Sequence, residues 1–275
     1  MCRVLGVSPA GYYAWTERPV CSHDHRDEML TQRIEQIFRS SHGRYGAPRV
    51  HQALRHTGVQ VARKRVARLM RQRSLRARTP RRRVQTTDCK HRQPVAENLL
   101  ARQFSAESAH QKWTSDITYI ATRDGWLYLT VVLDLFSRRV IGWSMSHQID
   151  EALVGRALRM AIAGKPADRC VLLHSDRGSQ YAAAGIRQLC SRNAVVQSMS
   201  RRGNCWDNAP SESFFGTLKR ELVGNQVYAS RAEACSAIFE YIEVFYNRER
   251  LHSTLGYRSP IDFERAHATT NLCPP

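Results

Sequence analysis

Two hydrophobic periods divide this chain. Up to about residue 73 the apolar positions recur every three to four residues, the spacing of helix faces. Beyond about residue 110 they come in short β-branched and aromatic runs, parted by glycine and aspartate turns. In the first part Leu30, Ile34, Ile37 and Phe38 predict a helix over 28–41. After Gly43 and Gly46, Pro48 is placed for the first turn of a second helix, 48–56, with Val50 and Leu54 inward. Gly58 breaks it, and a third helix over 62–73 puts Val66, Leu69 and Met70 on one face. Ahead of these, one short helix is expected before Gly6 and another after Ser8 as its cap.

In the second part, residues 112–120 read as a strand with Asp116 in its middle, where a charge is costly unless it is paired or binds metal. Arg123, Asp124 and Gly125 predict a hairpin turn into a second strand, 126–133. A turn over 134–139 leads to a third strand, 140–146, and then to a helix over 150–163 packed through Leu153, Ala157, Leu158, Ala161 and Ile162. The apolar run from Cys170 reads as a buried parallel strand ending at Asp176, with Gly178 opening the turn into a polar helix start. A helix over 186–192 and a fifth strand, 195–198, follow. Another helix starts near Asn208, with Pro210 tolerated in its first turn. A last helix over 231–248 packs through Ala234, Ile238, Tyr241, Ile242 and Phe245, and the tail after Ala266 is expected to be disordered.

Charge narrows the partners. The 275 residues hold 42 Lys and Arg against 24 Asp and Glu, a formal net charge of +18. A balance this basic points to a polyanion, nucleic acid first. Residues 1–100 carry 21 of the basic and 7 of the acidic side chains, so the first third is the electrostatic handle. Arg63, Lys64, Arg65, Arg68 and Arg71 fill much of the outer surface of the third helix. Two helices about a glycine turn with a basic second member fit a helix-turn-helix that docks on DNA, the alternative being a solvated helical hairpin. Residues 76–94 read as a flexible or extended basic linker that tracks phosphates, or as an inert spacer. No apolar run approaches the length of a transmembrane helix and no signal peptide is visible, so no membrane role is expected. The eight scattered cysteines suit reduced cytosolic thiols, and Cys21, His23 and His25 lack a fourth ligand at zinc spacing.

Asp176 is delivered to the sheet edge where open α/β sheets bind ligands, although a cap or turn explains a lone aspartate equally well. Its company decides. Asp116 lies on a strand, Glu212 lies on a helix, and 35 residues separate Asp176 from Glu212. This arrangement resembles the DD(35)E triad of retroviral integrases and many transposases. The stretches WTSDITYI, HSDRGSQY, GNCWDNAPSESFFGTLKRE and FYNRERLHSTLGYRSPIDFE resemble the OrfB-type transposases of the bacterial insertion-sequence three family, over about 44–264. Against that family, Ala62 stands where a capping Ser or Thr is usual, which weakens the helix start by roughly 1 kcal/mol.

The resemblance and the order βββαβαβα imply an α/β fold. The fold so implied would be a ribonuclease H-like integrase catalytic core, a five-stranded mixed sheet with helices, preceded by an all-α helix-turn-helix module. Strands one and four would be parallel neighbours, bringing Asp116 and Asp176 together. Cleaving or joining DNA displaces one phosphodiester oxygen by another in line, which two divalent ions about 3.5–4 Å apart serve. Mg²⁺ or Mn²⁺ prefers oxygen ligands. Asp116 would bridge two ions, and Asp176 and Glu212 would each complete one shell. Without metal the crowded carboxylates should raise at least one pKa. Lys219 shares a helix face with Glu212 and by resemblance contacts the DNA end, the alternative being a solvated lysine. Arg201 and Arg202, beside Gly203, form an expected mobile loop that meets phosphates. Trp206 is read either as a stacking face or as packing under that loop. His174 is expected as a hydrogen-bonded core histidine. Asp124 is expected at a hairpin tip, Asp134 is expected to start a turn with an approach to the site as the alternative, and Glu221 should face away from Glu212.

The expected organisation is an N-terminal segment 1–25, a helix-turn-helix module 26–78, a basic linker 79–107, a catalytic core 108–265 and a tail 266–275. The expected function is metal-dependent DNA cleavage and 3′-OH strand transfer, in the bacterial cytoplasm at the nucleoid. Expected partners are element-end and target DNA, further copies of the chain on DNA, and an upstream OrfA-type product or fusion. Family members are expected to reach further upstream than Met1. A DNA-binding regulator with an inactive core and a ribonuclease H-type nuclease are the alternatives.

Overall fold

Polar turns lengthen the first long helix beyond its apolar stripe. The computed structural model describes residues 2–17, 22–77, 94–201, 204–224 and 226–272, which divide into two compact units, Met1–Arg78 and Thr79–Pro275. In the first unit, α1 (Pro9–Thr16) is capped by Ser8, whose Oγ accepts the Gly11 N–H at 3.0 Å. Helix α2 (Ser22–Ser40) begins six residues ahead of the expected start. Its early turns lack apolar residues and are held by ion pairs instead. Asp27 takes Arg65 Nε at 2.6 Å and also Arg68, while Glu28 takes Arg73 at 2.7 Å. Helices α3 (Ala47–His56) and α4 (Arg63–Gln72) bury Val50, Leu54, Val66, Leu69 and Met70 as the periodicity requires. Between them Gly58 takes a φ of +80°, where a side chain would strain the turn. Ala62 gives α4 no side-chain cap, as its chemistry dictates.

The second unit is built on β1 (Lys112–Thr122), β2 (Gly125–Asp134), β3 (Val140–Ser146), β4 (Val171–Ser175) and β5 (Val195–Met199). Their spatial order is β3-β2-β1-β4-β5. The hairpins β1–β2 and β2–β3 are antiparallel, and β1–β4 and β4–β5 are parallel. Val131 and Val132 point to opposite faces yet both are fully buried, so both faces of the sheet are covered. One cover is α5 (Glu151–Ala163), capped by the Asp150 carboxylate on the Leu153 N–H at 2.8 Å. Its backbone lies so near Gly142 that a Cβ there would stand 2.2 Å from the Ala157 carbonyl oxygen. A short turn of helix, α6 (Ser179–Ala182), precedes α7 (Ala184–Arg192). Trp113, Val154, Leu158, Leu173, Tyr181 and Ile186 form the core on that side.

A 3₁₀ turn over Cys205–Asn208 leads into α8 (Ala209–Leu218), which widens into a π turn over Lys219–Val223. Helix α9 (Arg231–Phe239) does the same over Glu240–Tyr246. The disordered tail expected after Ala266 is corrected as far as Leu272 by α10 (Pro260–Leu272), and the remaining three residues of that tail lie outside the described residues. Its order comes from side-chain stacking, with Phe263 and His267 packed on Phe136 at 5.1 and 5.2 Å between ring centroids.

The basic stretch 78–93 of the expected linker lies outside the described residues. The expected linker bounds 79–107 are corrected at their far end, because from Asn98 onward the chain is bonded into the second unit. Leu100 is fully buried, and the Leu99 and Leu100 N–H groups donate to Ser198 Oγ at 3.0 and 3.1 Å. Among the described residues no helix is long and apolar enough to cross a membrane.

Candidate active site

Parallel pairing sets the first two carboxylates. The β1–β4 ladder pairs Trp113 with Leu173 and Thr114 with His174, so two residues on Asp116 comes level with Asp176. Each is half-buried and takes a local backbone donor. Asp116 Oδ1 accepts the Ile117 N–H at 2.8 Å, and Asp176 Oδ1 accepts the Gly178 N–H at 3.0 Å.

The third carboxylate, Glu212, sits in the first turn of α8. That turn is fixed to β1 by a buried polar lock. Thr114 Oγ1 donates to Asn208 Oδ1, Asn208 Nδ2 donates to the Ser115 carbonyl at 3.2 Å, and Thr114 Oγ1 meets Ser211 Oγ at 2.9 Å. The lock joins the two β1 residues ahead of Asp116 to Asn208, just before α8, and to Ser211, the residue ahead of Glu212. Nothing in the sequence singled out Asn208, because an amide before a helix reads as a cap. Here the cap role is unused, since Asn208 makes no side-chain cap hydrogen bond. The consecutive polar pair Thr114 and Ser115 just ahead of Asp116 in β1 was the available signal.

Electrostatics tie the three carboxylates together. Burial pushes the Asp116 pKa well up, and the negative charges of Asp176 and then Glu212 push it further. Lys219 opposes them. Under the site Tyr181 is fully buried with its hydroxyl 2.8 Å from Ser115 Oγ. Burial, then Asp116 and Asp176, raises its pKa well above the ordinary value. Among the described residues no three His, Cys, Asp or Glu side chains close into a cage for an ion. Asp116 and Asp176 each accept a neighbouring backbone N–H. The oxygen-only donor set and the stacked negative charge nonetheless fit a hard divalent cation.

Of the other predicted residues, Lys219 holds its ammonium 4.5 Å from the Tyr119 ring centroid. Arg201 commits its guanidinium to Asp207 through Nε at 2.9 Å and Nη2 at 2.8 Å. Buried Asp207 also takes Arg102 Nε at 2.9 Å and Asn98 Nδ2 at 3.0 Å. These bonds, that of Arg201 foremost, hold its carboxyl far below the usual range. The loop is thereby stapled to the segment that enters the core. Arg202 and Gly203 lie outside the described residues. Trp206 is 69% exposed, which removes the reading of it as packing. In the helical unit Arg63 and Lys64 are exposed, while Arg65 and Arg68 hold Asp27.

The competing groups are structural. His174 is fully buried between Ser198 Oγ at 2.9 Å and Ser200 Oγ at 3.1 Å, and burial lowers its pKa to about 4. Asp134 accepts the backbone N–H groups of His110, Phe136 and Ser137. Asp124 accepts the Arg231 N–H at the hairpin tip. Glu221 points into the C-terminal helices, where Arg250 and Tyr241 meet it.

Residues 106–205 and 212–267 match families described as Integrase core domain, and residues 24–83 match an HTH-like domain. The chain is 40% identical over 267 residues to the insertion element IS600 uncharacterized 31 kDa protein of Shigella sonnei, covering 97% of this chain and 98% of that one. It is 42% identical over 266 residues to the transposase InsF for insertion sequence IS3A of Escherichia coli K12, covering 96% and 92%. The solved catalytic core domain of HTLV-2 integrase in complex with magnesium is similar at a TM-score of 0.45 and 16% identity, over 58% of this chain and 99% of that one.

Proposed function

This chain belongs to the OrfB-type transposases of the bacterial insertion-sequence three family, and on that footing we propose that Asp116, Asp176 and Glu212 carry its DNA strand cleavage and 3′-OH joining. It is a transposase and a polynucleotidyl transferase. The observation that supports the site is the mutual electrostatic strain of three carboxylates brought together from β1, the end of β4 and α8.

Asp116, Asp176 and Glu212 would hold Mg²⁺ or Mn²⁺, two ions per site, and the metal would supply activation of the attacking oxygen and stabilisation of the leaving one. The chain's own residues do the rest. Lys219 offsets part of the negative charge and meets a phosphate of the DNA end. The Asn208 lock keeps Glu212 in register with Asp116. His174 stays neutral above about pH 4 and takes no proton from the reaction. Arg63 and Lys64 on α4 meet DNA phosphates, and copies of the chain assemble on the two element ends. An OrfA-type partner supplies recognition of the terminal repeats. The proposed place of action is the bacterial cytoplasm, at the nucleoid.

The test is strand joining by the purified chain, using DNA that ends in its own element's terminal repeat, a target plasmid and Mg²⁺ or Mn²⁺. Metal-dependent joining supports the reading. Binding without joining, unchanged by the upstream partner, would instead favour a regulator.

Two further outcomes are expected. Asn208→Ala cuts joining about 10–100-fold, the scale for groups that orient a metal ligand, with DNA binding intact. Higher Mn²⁺ restores part of the loss. Equal joining by the variant would remove Asn208 from the site. Arg63→Ala with Lys64→Ala weakens DNA binding and flattens its salt dependence while leaving the melting curve in place. Arg65→Ala with Arg68→Ala lowers the melting temperature as well, since Asp27 loses both counter-charges. Filter binding across a salt series, beside thermal melts, checks both.

A further inference from the structure

We propose that an aromatic face of the sheet beside Lys219 stacks an unpaired base of the DNA end, next to the reacting phosphate. The proposal rests on the transposase reading and adds a substrate subsite to it. Residues two apart on a strand share a face, and so do partners across a ladder. Pairing of Tyr119 with Tyr128 and of Ala121 with Trp126 therefore places Tyr119, Ala121, Trp126 and Tyr128 together. Trp126 is 49% exposed, and the two tyrosines are half-buried. The Tyr119 and Trp126 rings meet at 87° with centroids 4.9 Å apart, an edge-to-face pair that fixes both planes.

The platform is braced from below. Arg231 donates from Nε to the Trp126 carbonyl at 3.1 Å and from its backbone N–H to Asp124 Oδ2 at 3.0 Å. Thr122 Oγ1 bonds the Gly125 carbonyl at 2.6 Å, and the Arg123 N–H bonds the Tyr228 carbonyl at 2.9 Å. A half-exposed tryptophan on a hairpin held this firmly loses little freedom when a flat ligand lands on it.

Charge selects the ligand. Exposed Arg123 and the ammonium of Lys219 border the face, and the nearby Asp124 carboxylate takes the Arg231 N–H. Aromatic faces edged by cations suit a chain of bases on a phosphate backbone. Lys219 also fixes the position along that chain. Its ammonium lies over Tyr119 and acts on Asp116, which alternation puts on the other face of β1, so Lys219 stands where one DNA strand would pass from the platform to the carboxylates. A paired base already stacks inside the duplex, so the platform takes a base freed by opening the end.

The experiment uses the full chain in Ca²⁺ with two short duplexes of the same sequence, one blunt and one with an unpaired 3′ end carrying 5-iodouracil. Expected is a photocrosslink at Trp126 from the unpaired end. Trp126→Ala should bind the unpaired-end duplex about tenfold more weakly and the blunt one unchanged, and Trp126→Phe should restore binding. Equal loss on both duplexes, no loss on either, or a crosslink that persists in Trp126→Ala overturns the proposal. So does a dimer that Trp126→Ala dissociates while the crosslink is absent in the parent, which gives the face to a second copy. Asp176→Asn should keep the crosslink. A parent chain that crosslinks but never joins DNA overturns the reaction and leaves the base site standing. One that joins DNA without crosslink or selective loss overturns the base site alone.

Discussion

Asp116→Asn, Asp176→Asn and Glu212→Gln each lower strand joining by about a thousandfold or more, with DNA binding held within about twofold. The magnitude is the upper end for removing one group that acts on developing charge in a transition state. Gel assays of joining beside filter binding on the same preparations check it, and full joining by any of the three sinks the site. Asp116→Asn carries a second signature. Its folded-state pKa is raised above the ordinary 3.8, so the folded chain holds the proton more tightly than the unfolded one. Stability from this group is then intact below about pH 3.8 and is lost as pH rises toward the folded value. At neutral pH the metal-free Asn variant should melt above the parent, and the gap should shrink as the pH falls. Mg²⁺ should raise the melting temperature of the parent more than that of the variant, because a cation relieves the same repulsion.

Arg250→Ala or Glu221→Ala destabilises the core by about 3–5 kcal/mol, the cost of leaving one member of a buried ion pair alone. The pair is closed at both ends. Arg250 Nη2 meets Glu221 Oε1 at 2.8 Å, Arg250 Nε meets Oε2 at 2.9 Å, and the Tyr241 hydroxyl adds a third bond at 2.9 Å. Each side chain is nearly sealed, at 4% and 3% exposure. Replacing both with Arg250→Met and Glu221→Leu should recover much of the loss, since no lone charge then remains. Urea melts of the two singles and the double check this. A single variant as stable as the parent would show that the pair is wet and weak.

The legible parts were those that repeat or that sit in register. Alternation in β1 to β3 and the apolar run before Asp176 sufficed for the sheet, and the sheet order brings Asp116 level with Asp176. Glu212 was proposed from its spacing and the words around it. Contacts between polar residues distant in the chain were not legible. Asp27 meets Arg65 across 38 residues, and polar turns so held lengthen α2 where no apolar stripe could announce it. Glu221 was correctly turned from the site, yet nothing in the local pattern supplied Arg250, 29 residues on, as its partner. Arg201 read as a phosphate ligand because a basic loop near a site invites that. Asp207 holds it directly, and the same carboxylate also takes Arg102 and Asn98 from more than a hundred residues earlier.

The polar lock between Asn208 and β1 has a consequence for synthesis. A ribosome releases β1 and β4 long before α8, so a nascent chain reaches paired aspartates while the glutamate is still unmade. Helix α8 then seats through Asn208, but its far end carries a buried Glu221 whose cation arrives only with Arg250. The third carboxylate is therefore secured only once Arg250 has emerged, so a chain still in synthesis holds two of the three proposed site carboxylates without the third.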